Sequence, residues 1–345
     1  MLTIFADRDP QKFWENWQKI VEKCGAGPRY LISNLEWFKS ISKSRSLFFL
    51  DKSFICLNNG EPIAGVFLPV ERNNEHLVAS INGGYIPAPL LVDKEVDKEI
   101  FSLVDELCLE NKVEKAMFSI DPLSDDSYNF LQKFGFLDSS ILSYFFNLND
   151  SKNLLQSCRR GHKCDIKKIL NNENIKIFVV DSIYPSRELH NEFVIMHQKC
   201  AGNNAKTSEA LAPLYNMLQS NQAVLFGMSD KGKNVAFTYF QYFKDKGIYT
   251  MAVDDPDYTG APVYHALVYT AIEYLKKKGV VNIDTGQPSC SSMQYDYYPD
   301  DKQLKVALFK RGFPGNFKQN FRGVKYYTKN SFLIDANLFI GKYGK

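Results

Sequence analysis

Apolar and polar positions alternate between strand-like and helix-like spacing over the first half of the chain. The stretch SFICLNNGEPIAGVFLPVER predicts two strands joined at Asn58–Gly60, because asparagine and glycine between apolar runs are a strong hairpin signal. Apolar residues then recur at helical spacing, at Val96, Ile100, Leu103, Val104 and Leu107. The segments KAMFSID, DDSYNFLQKFGF and SYFFNLN predict a strand, a helix that ends at Gly135, and a further strand.

The second half of the chain repeats this order of elements. SRELHNEFVIMHQKCA and EALAPLYNMLQSN predict helices, and the long segment from Ala223 to Asp254 predicts three strands with turns at Asp230–Gly232 and Asp245–Gly247. No residue-level repeat is visible, so the duplication rests on the order of elements alone. We therefore predict two domains of α/β (α+β) class, residues 1–150 and residues 151–345, the second beginning with a linking helix.

One turn in the second half has the features of an anion site. In DYTGAPVYHALVYTAIEYLKKKG, Gly260 and Pro262 open a helix whose lysine-rich end and Gly279 suit a helix C-terminus. The strand IYTMAV precedes this turn and VNIDTG follows the helix, and unpaired N–H groups at a helix start can bind a phosphate. The alternative is an ordinary connection that faces water, since no GxxxxGK[ST] motif occurs.

Composition narrows the class of protein. With 345 residues, 45% of them hydrophobic and 14% aromatic, the chain is long and apolar enough for two globular cores. A formal charge of only +3 gives no strong overall positive potential that would attract nucleic acid. No apolar run approaches the ~20 residues of a membrane span, and MLTIFADRDPQKFWENW lacks the features of a secretory signal. Seven cysteines without pairing spacing predict a reduced, cytoplasmic protein with free thiols.

The order of elements around the Gly260 turn resembles the GNAT acyltransferase fold. Two GNAT-like units in one chain resemble the FemAB family of tandem-GNAT transferases, and the segments that carry the resemblance are INGGYIPAPLL, LQKFGF, LLQSCRRGHKCDIKKIL and FKRGFPGNF. In GNAT proteins, acyl-coenzyme A lies in a splay between two strands and its pyrophosphate caps the following helix. The resemblance covers most of the chain and implies two GNAT-like domains in tandem, each a twisted mixed sheet flanked by helices, with the donor site in the second.

The resemblance also implies a function. We expect a bacterial N-acyltransferase that moves an acyl group from acyl-coenzyme A to the amino group of a nucleotide-linked amino sugar, for surface polysaccharides. The peptidoglycan members use aminoacyl-tRNA and often carry a coiled-coil arm, which is not visible in this sequence. Two alternatives stay open: an aminoacyl-tRNA-dependent transferase acting on a peptidoglycan precursor, and a tandem-GNAT protein that binds without catalysis. Near-neutral charge disfavours tRNA, whereas the basic segment around Arg159 and Arg160 favours it.

The resemblance places the donor between the predicted strand and turn, with attack by the amine direct and without an acyl-enzyme. The donor-binding candidates are Met251, Val253, Thr259, Gly260, Ala261 and Val263. Asp284 is the first candidate for the general base because it ends a strand next to Gly286, although it could instead cap the next turn. His265 is the second, because a helix dipole favours its neutral imidazole; the alternative is a helix-surface residue.

Several polar and aromatic residues are candidates for binding the acceptor. They are Tyr85, Lys206, Tyr239, Gln241, Tyr295 and Tyr298. Tyrosines in the glycine-rich INGGYIPAP and in the loop SSMQYDYYPDD can stack on a base or sugar, and Lys206 can bind a diphosphate. Tyr239 and Gln241 alternate along a strand, so both can face a cleft. The alternatives are a bulge required by the prolines, a surface loop, a solvated lysine and packing in the sheet core.

Neither a catalytic nor a metal-binding role is predicted for two groups of cysteine and histidine residues. His197 and Cys200 lie three positions apart on a helix, where packing is the usual explanation, so we expect no acyl-enzyme. Cys158, His162 and Cys164 match no standard zinc spacing and lie among positive charges, so no metal site is predicted.

The segment FKRGF near the end of the chain carries two further charges. Lys310 and Arg311 would suit the phosphates of coenzyme A or of tRNA. The alternative is a structural role, because the flanking Phe309 and Phe313 have the character of core residues.

Overall fold

The structure is a computed structural model that describes residues 1–46, 48–73, 75–149, 153–202, 205–286, 293–294 and 296–344. Its α-helices are α1 (Pro10–Lys23), α2 (Ile32–Arg45), α3 (Asp97–Glu110), α4 (Leu154–Ser157), α5 (Arg160–Leu170), α6 (Arg187–Ala201), α7 (Ser208–Gln219), α8 (Val263–Lys277), α9 (Asp301–Lys310) and α10 (Lys329–Tyr343). Within the described ranges, no helix combines the length and the apolar character that crossing a membrane requires.

The strands form three sheets. They are β1 (Leu2–Phe5), β2 (Phe49–Asp51), β3 (Phe54–Asn58), β4 (Glu61–Val66), β5 (Pro69–Asn73), β6 (His76–Ala79), β7 (Ile86–Pro87), β8 (Leu90–Leu91), β9 (Lys115–Ser119), β10 (Leu137–Asp138), β11 (Ile141–Asn147), β12 (Ile175–Val180), β13 (Ala223–Asp230), β14 (Lys233–Phe243), β15 (Lys246–Asp254), β16 (Asn282–Asp284), β17 (Gly315–Asn320) and β18 (Arg322–Tyr326). Parallel and antiparallel pairs both occur, so the predicted mixed sheets flanked by helices are confirmed.

Local sequence accounts for the hairpin and turn positions. Asn59 and Gly60 connect β3 to β4 with φ angles of 50° and 82°, a left-handed conformation that asparagine and glycine tolerate best. The helix expected in DDSYNFLQKFGF is shorter than predicted, because only Phe130–Phe134 is helical and it forms a 3₁₀ helix. Its aromatic residues favour a helix only weakly and instead stack on the core, with the Phe101 and Phe134 rings 3.9 Å apart.

The chain divides into two compact units. The first consists of Met1–Ile141, Met293–Tyr298 and Gln319–Lys345. It holds the sheet β1-β3-β4-β8 and the sheet β10-β18-β9-β6-β5-β2, with β7 also paired to β9. The C-terminal strand β18 lies between β10 and β9 in this unit, far from both in sequence. One GNAT-like domain in each of the ranges 1–150 and 151–345 stays a prediction.

The second unit consists of Leu142–Ser292 and Pro299–Lys318. Its sheet has the order β12-β13-β14-β15-β16-β11-β17, in which β13, β14 and β15 form the predicted antiparallel meander. Helix α8 connects β15 to its parallel neighbour β16 and buries one apolar side in the core, with Val263, Ala266, Leu267, Ala271 and Leu275. The α8 crossover therefore places the predicted turn at the end of β15, in the middle of the sheet.

Candidate functional site

Strand β16 is short and pairs along its whole length with the first three residues of β15. Lys246 to Ile248 lie opposite Asn282 to Asp284, and β15 continues to Asp254 with no further partner on this side among the described residues. A bulge at Thr250 bends β15 just beyond the last pair, because Tyr239 and Phe240 of β14 face Met251 and Tyr249. Beyond Ile248, this edge of β15 has no strand partner among the described residues, so its backbone groups are available for other hydrogen bonds.

The helix that follows β15 starts without a side-chain cap. Pro262 is the N-cap of α8 and supplies no hydrogen-bond acceptor from its side chain. The amides of Gly260, Val263 and Tyr264 donate to no other described residue. A cavity of about 160 Å³ lies at this helix start, against Ala261 and Val263 among others. Free amides and the positive end of a helix dipole make this a favourable place for an anion.

Tyr258 occupies part of the same turn. Its hydroxyl accepts a 3.0 Å hydrogen bond from the Ala261 amide and donates a 2.9 Å bond to Asp230. A Cβ atom at Gly260 would lie only 2.4 Å from this hydroxyl, so a larger residue there would have to displace the Tyr258 side chain. One of the predicted anion-binding amides is thus already bonded within the protein.

The acidic residues beside the turn are bonded to their neighbours. Asp254 accepts a 2.7 Å hydrogen bond from the hydroxyl of Tyr264. Asp255 is bonded to the ammonium groups of Lys199 and Lys233 at 2.6 and 2.7 Å, and these bonds hold its pKa well below the ordinary value. These contacts reduce the repulsion that an incoming phosphate would otherwise meet.

Lys310 lies where the pairing of β15 with β16 ends. Its Nζ donates a 2.6 Å hydrogen bond to the carbonyl oxygen of Thr285, directly after β16, and lies 5.8 Å from the ring centre of Tyr249 on β15. Burial lowers the pKa of Lys310 to about 8, an effect that nearby Asp284 opposes. A buried cation at this point can stabilise negative charge that develops on a substrate. Sequence reasoning offered Lys310 a phosphate-binding or a structural role and no part in the reaction, although the FKRGF segment was the signal that marked it.

Asp284 has a structural role in this structure. Its carboxylate is buried at 1% exposure and accepts a 2.9 Å hydrogen bond from the Gly286 amide. Gly286 has a φ angle of 65°, which allows the chain to turn sharply after β16. The turn-capping role that the sequence left open is therefore present, and the role of Asp284 as general base stays a prediction.

His265 packs against α5 as part of a histidine pair. Its ring centre lies 4.4 Å from that of His162, and its Nε2 lies 3.7 Å from Asp165. His162 bonds to the carbonyl oxygen of Phe309 at 2.8 Å. Burial lowers the pKa of His265 and lowers that of His162 to about 4, so both imidazoles are neutral near pH 7. The proposed catalytic role of His265 stays a prediction.

Two of the segments that carry the FemAB resemblance meet beside the start of α8. The amide of Arg159, at the start of α5, donates a 2.8 Å bond to the carbonyl oxygen of Gly312. A Cβ atom at Gly312 would lie 2.0 Å from the His162 ring, so the basic segment and FKRGF fit together only with glycine. Phe309 contacts the rings of both His162 and His265. The basic segment, the α8 turn and FKRGF therefore form one cluster in the second unit.

Comparisons with known proteins show which fold this is. No protein-family model matches the chain, and a search of curated proteins found no match. Among solved structures, FemX superimposes with a TM-score of 0.69 at 12% identity, over 97% of this chain and 99% of FemX. L-PGS from Bacillus licheniformis gives 0.59 at 12% identity, over 95% and 96% of the two chains. A tandem GNAT protein from the clavulanic acid biosynthesis pathway gives 0.52 at 10% identity, over 94% and 98%.

The chain has a tandem-GNAT fold. The fold predicted from the order of elements is confirmed, since these structures match almost the whole chain.

The predicted donor residues lie on both sides of the turn. Met251 and Val253 are on β15, opposite Tyr239 and Phe237, so these four side chains share one face of the sheet. Thr259 is exposed in the turn beside Gly260, and the structure therefore groups all six predicted donor residues around the end of β15 and the start of α8.

Two predicted acceptor residues are buried in the second unit. Tyr239 is inaccessible to solvent, and its hydroxyl lies 2.9 Å from Nδ1 of His190. Gln241 is almost as buried and donates to the sulfur of Met217. Both side chains thus point toward α6 and α7. Packing in the sheet core, the alternative to a position facing a cleft, is therefore what the structure shows for these two residues. Their binding role stays a prediction.

The remaining acceptor candidates are spread over the chain. The backbone amide of Lys206 donates a 3.1 Å bond to Nε2 of His197, which anchors the segment before α7. Tyr85 and Tyr298 belong to the first unit. The Tyr85 hydroxyl is bonded to Asp296, and its ring stacks under a buried arginine. Tyr295 lies outside the described residues.

The cysteines for which no chemical role was predicted lie in different environments. Cys158 is buried, and burial raises the pKa of its thiol to about 11, whereas Cys164 and Cys200 are exposed. No group of three or more metal-binding side chains was found among the described residues.

Proposed function

We propose that the second unit binds acyl-coenzyme A between β15 and β16 and transfers its acyl group directly to an amine. The observation that carries this proposal is that β15 continues to Asp254 beyond its last pair with β16 at Ile248, with the uncapped start of α8 just after it. An open strand edge provides hydrogen bonds for an extended amide-containing chain, and the helix start provides them for a diphosphate.

The diphosphate would lie against the amides of Gly260, Val263 and Tyr264. These groups are free, and the adjoining cavity of about 160 Å³ can accept one end of such a ligand. For the Ala261 amide to join them, the Tyr258 hydroxyl must move away. Met251, Val253 and Thr259 complete the proposed donor contacts.

The reaction would form a C–N bond and break the C–S bond of the thioester. Backbone N–H groups on the open edge of β15 would stabilise the tetrahedral oxyanion, and the buried ammonium of Lys310 would add positive charge. The proton lost by the amine would pass to Asp284 or His265, a step that contributes roughly 10²–10⁴-fold when geometry allows. The thiolate of coenzyme A is the leaving group.

For the acceptor, we propose the amino group of a nucleotide-linked amino sugar, within bacterial surface-polysaccharide biosynthesis in the cytoplasm. This acceptor is supported by the family resemblance and by aromatic side chains that can stack on a base or sugar. Tyr85 and Tyr298 of the first unit are two of them. Lys206, Tyr239, Gln241 and Tyr295 are the further candidates.

A second function has support in the basic helix α5. Its solvent-exposed cations, Arg159, Arg160, Lys167 and Lys168, lie at or near the cluster that contains FKRGF. Such a surface favours a polyanion, and FemX shares the fold. Transfer from aminoacyl-tRNA to a peptidoglycan precursor is therefore the alternative proposal.

Ligand-induced stabilisation distinguishes these functions. At about 100-fold excess over Kd, coenzyme A should raise the Tm of the protein by several degrees. Gly260→Ala, whose new Cβ would push the Tyr258 hydroxyl away from the Ala261 amide, should enlarge this rise. Gly341→Ala is the matched control, because a Cβ there meets nothing within 4 Å. Stabilisation by tRNA with no response to coenzyme A would favour the second function, and no response to either, or to UDP- and dTDP-sugars, would favour a non-catalytic protein.

A further inference from the structure

Strand β1 forms an open edge of the sheet β1-β3-β4-β8 in the first unit. It pairs with β3 on one side, and the structure describes no strand on its other side. The Ala6 amide donates a 2.9 Å hydrogen bond to the carbonyl oxygen of Ser53, so bonded pairs recur at every second residue before it. Thr3 and Phe5 lie between these pairs, and their backbone N–H groups therefore point to the open edge.

This edge lacks the usual protection against pairing with another chain. Proteins commonly place a charged side chain, lysine above all, on an exposed edge strand. The edge strands β2, β12 and β17 carry Asp51, Lys176 and Lys318, whereas β1 has the uncharged sequence LTIF. Leu2 at the start of β1 is 63% exposed. An uncharged strand with an open edge is a template for a further strand.

A groove of about 540 Å³ lies between this edge and helix α3. Thr3 lines it on the strand, and Lys98, Glu99, Ser102 and Glu106 are among the residues that line it on the helix. The three charged side chains are exposed, and none forms an ion pair with a residue that the structure describes. Ser102 lies midway between Lys98 and Glu106, so the helix carries opposite charges at equal distances from a small residue.

A second copy of the chain matches this charge pattern. A two-fold axis perpendicular to the sheet runs two copies of β1 antiparallel, and it runs the two α3 helices antiparallel as well. With the axis beside Thr3 and Ser102, Lys98 of each copy faces Glu106 of the other, which gives two pairs of opposite charges. Thr3 of each copy can also exchange both of its backbone hydrogen bonds with Thr3 of the other. A foreign peptide would satisfy the strand edge but not this symmetry.

We propose that the chain forms a two-fold symmetric dimer through its first unit, in which β1 pairs with β1 of the second copy and α3 packs beside its counterpart. A four-residue strand and one side of a helix form a small contact, so the association is reversible and depends on protein concentration. This inference does not depend on the reaction proposed for the second unit.

Charge reversal tests the proposed symmetry. Sedimentation equilibrium of the full chain should show a dimer whose fraction rises with protein concentration. Lys98→Glu and Glu106→Lys should each weaken self-association at least about tenfold, because both pairs across the axis become repulsive. An equimolar mixture of the two variants should form a heterodimer about as stable as the wild-type dimer, since opposite charges face each other again. The double variant that carries both changes should dimerise for the same reason.

The other carboxylate in the groove has no cation opposite it. The proposed axis places Glu99 near Asp105 of the second copy, and Asp105 is already paired with Lys325 at 2.7 Å. Removing the negative charge in Glu99→Gln should therefore leave the dimer at least as stable as that of wild type. A weaker dimer in this variant would contradict an axis beside Ser102.

A change in the strand tests the second half of the contact. Thr3→Pro removes an amide that points to the open edge and none that bonds to β3, so it should weaken the dimer about tenfold or more. Lys305→Glu is the matched control for charge, because Lys305 is exposed on α9 of the second unit. The control should dimerise like wild type, and circular dichroism should show that every variant is folded.

Three results would overturn the proposed dimer. They are a wild-type chain that stays monomeric at its highest soluble concentration, a mixture of Lys98→Glu and Glu106→Lys that stays monomeric, and a dimer that neither charge reversal nor Thr3→Pro weakens. A monomer would leave the open edge of β1 to a strand from a different protein. A dimer that resists all these changes would use another surface.

Discussion

The ammonium of Lys310 donates a 2.6 Å hydrogen bond to the carbonyl oxygen of Thr285 and thereby joins the end of α9 to the end of β16. This contact places a buried positive charge where the pairing of β15 with β16 ends, 5.8 Å from the Tyr249 ring centre. In an acyltransferase, that charge would face the region in which the thioester carbonyl becomes an oxyanion.

Replacing Lys310 should impair turnover more than donor binding. Lys310→Met keeps an unbranched chain of similar length but removes the cation, so kcat should fall by about 10²-fold or more with KM for the donor little changed. The wild-type rate should also decline above pH 8, because the pKa of Lys310 is about 8 and the ammonium loses its proton there. Steady-state kinetics from pH 6.5 to 9.5 measure both effects. A Lys310→Met enzyme with a normal kcat would contradict the role.

The same lysine should affect stability with a defined sign. Burial lowers the pKa of Lys310 from 10.5 to about 8, so between these values the unfolded chain binds a proton that the folded protein does not. The free energy of unfolding should therefore gain on the order of 3 kcal/mol from this group between pH 8 and pH 10.5. Urea unfolding at pH 7.5 and pH 10 should show this gain in wild type and lose it in Lys310→Met. Equal pH dependence of both proteins would argue against a buried ammonium.

Tyr258 should oppose donor binding while stabilising the turn. Tyr258→Phe removes the hydroxyl that accepts from the Ala261 amide and donates to Asp230, which should cost about 1 kcal/mol of unfolding free energy. The freed amide should then bind the diphosphate, so coenzyme A affinity should rise severalfold. Calorimetric titration and thermal unfolding measure the two quantities. Weaker coenzyme A binding in Tyr258→Phe would show that the hydroxyl belongs to the donor site.

Two substitutions separate the turn-capping role of Asp284 from a role as base. Asn at this position can still accept the 2.9 Å bond from the Gly286 amide but cannot take a proton, whereas Ala can do neither. If Asp284 is the base, Asp284→Asn should be folded at near wild-type stability and lose about 10²-fold or more in kcat. Asp284→Ala should be destabilised by about 1–2 kcal/mol as well. Full activity in a stable Asp284→Asn would leave His265 as the candidate base.

The buried His162 should make the protein sensitive to acid. Burial lowers its pKa from 6.5 to about 4, so the unfolded state binds a proton between these values and stability falls as pH decreases through them. His162→Gln can still donate a hydrogen bond to the Phe309 carbonyl oxygen. This variant should lose on the order of 2 kcal/mol less unfolding free energy than wild type when the pH is lowered. His190→Gln should likewise reduce the acid-induced decrease in unfolding free energy, since burial also lowers the pKa of His190 to about 4. Unfolding curves at pH 7 and pH 4.5 provide the comparison, and an unchanged acid loss in both variants would exclude these residues as its source.

The sequence by itself determined the features that depend on neighbouring residues. The turn at Asn59 and Gly60, the bounds of α8 and the β13–β15 meander follow from φ preferences and apolar periodicity, which act over a few residues. The order of these elements was also enough to predict the tandem-GNAT fold, which the structural comparisons confirm.

Only the tertiary structure decided which polar groups are free and which are engaged. Tyr258 reaches the Ala261 amide, Lys310 becomes buried beside Thr285, and β18 enters the first unit between strands distant in sequence. These relationships depend on desolvation and on contacts between remote segments, which no local pattern encodes. For the same reason, the bond from Lys115 on β9 to Asp335 on α10 is apparent only in the folded structure.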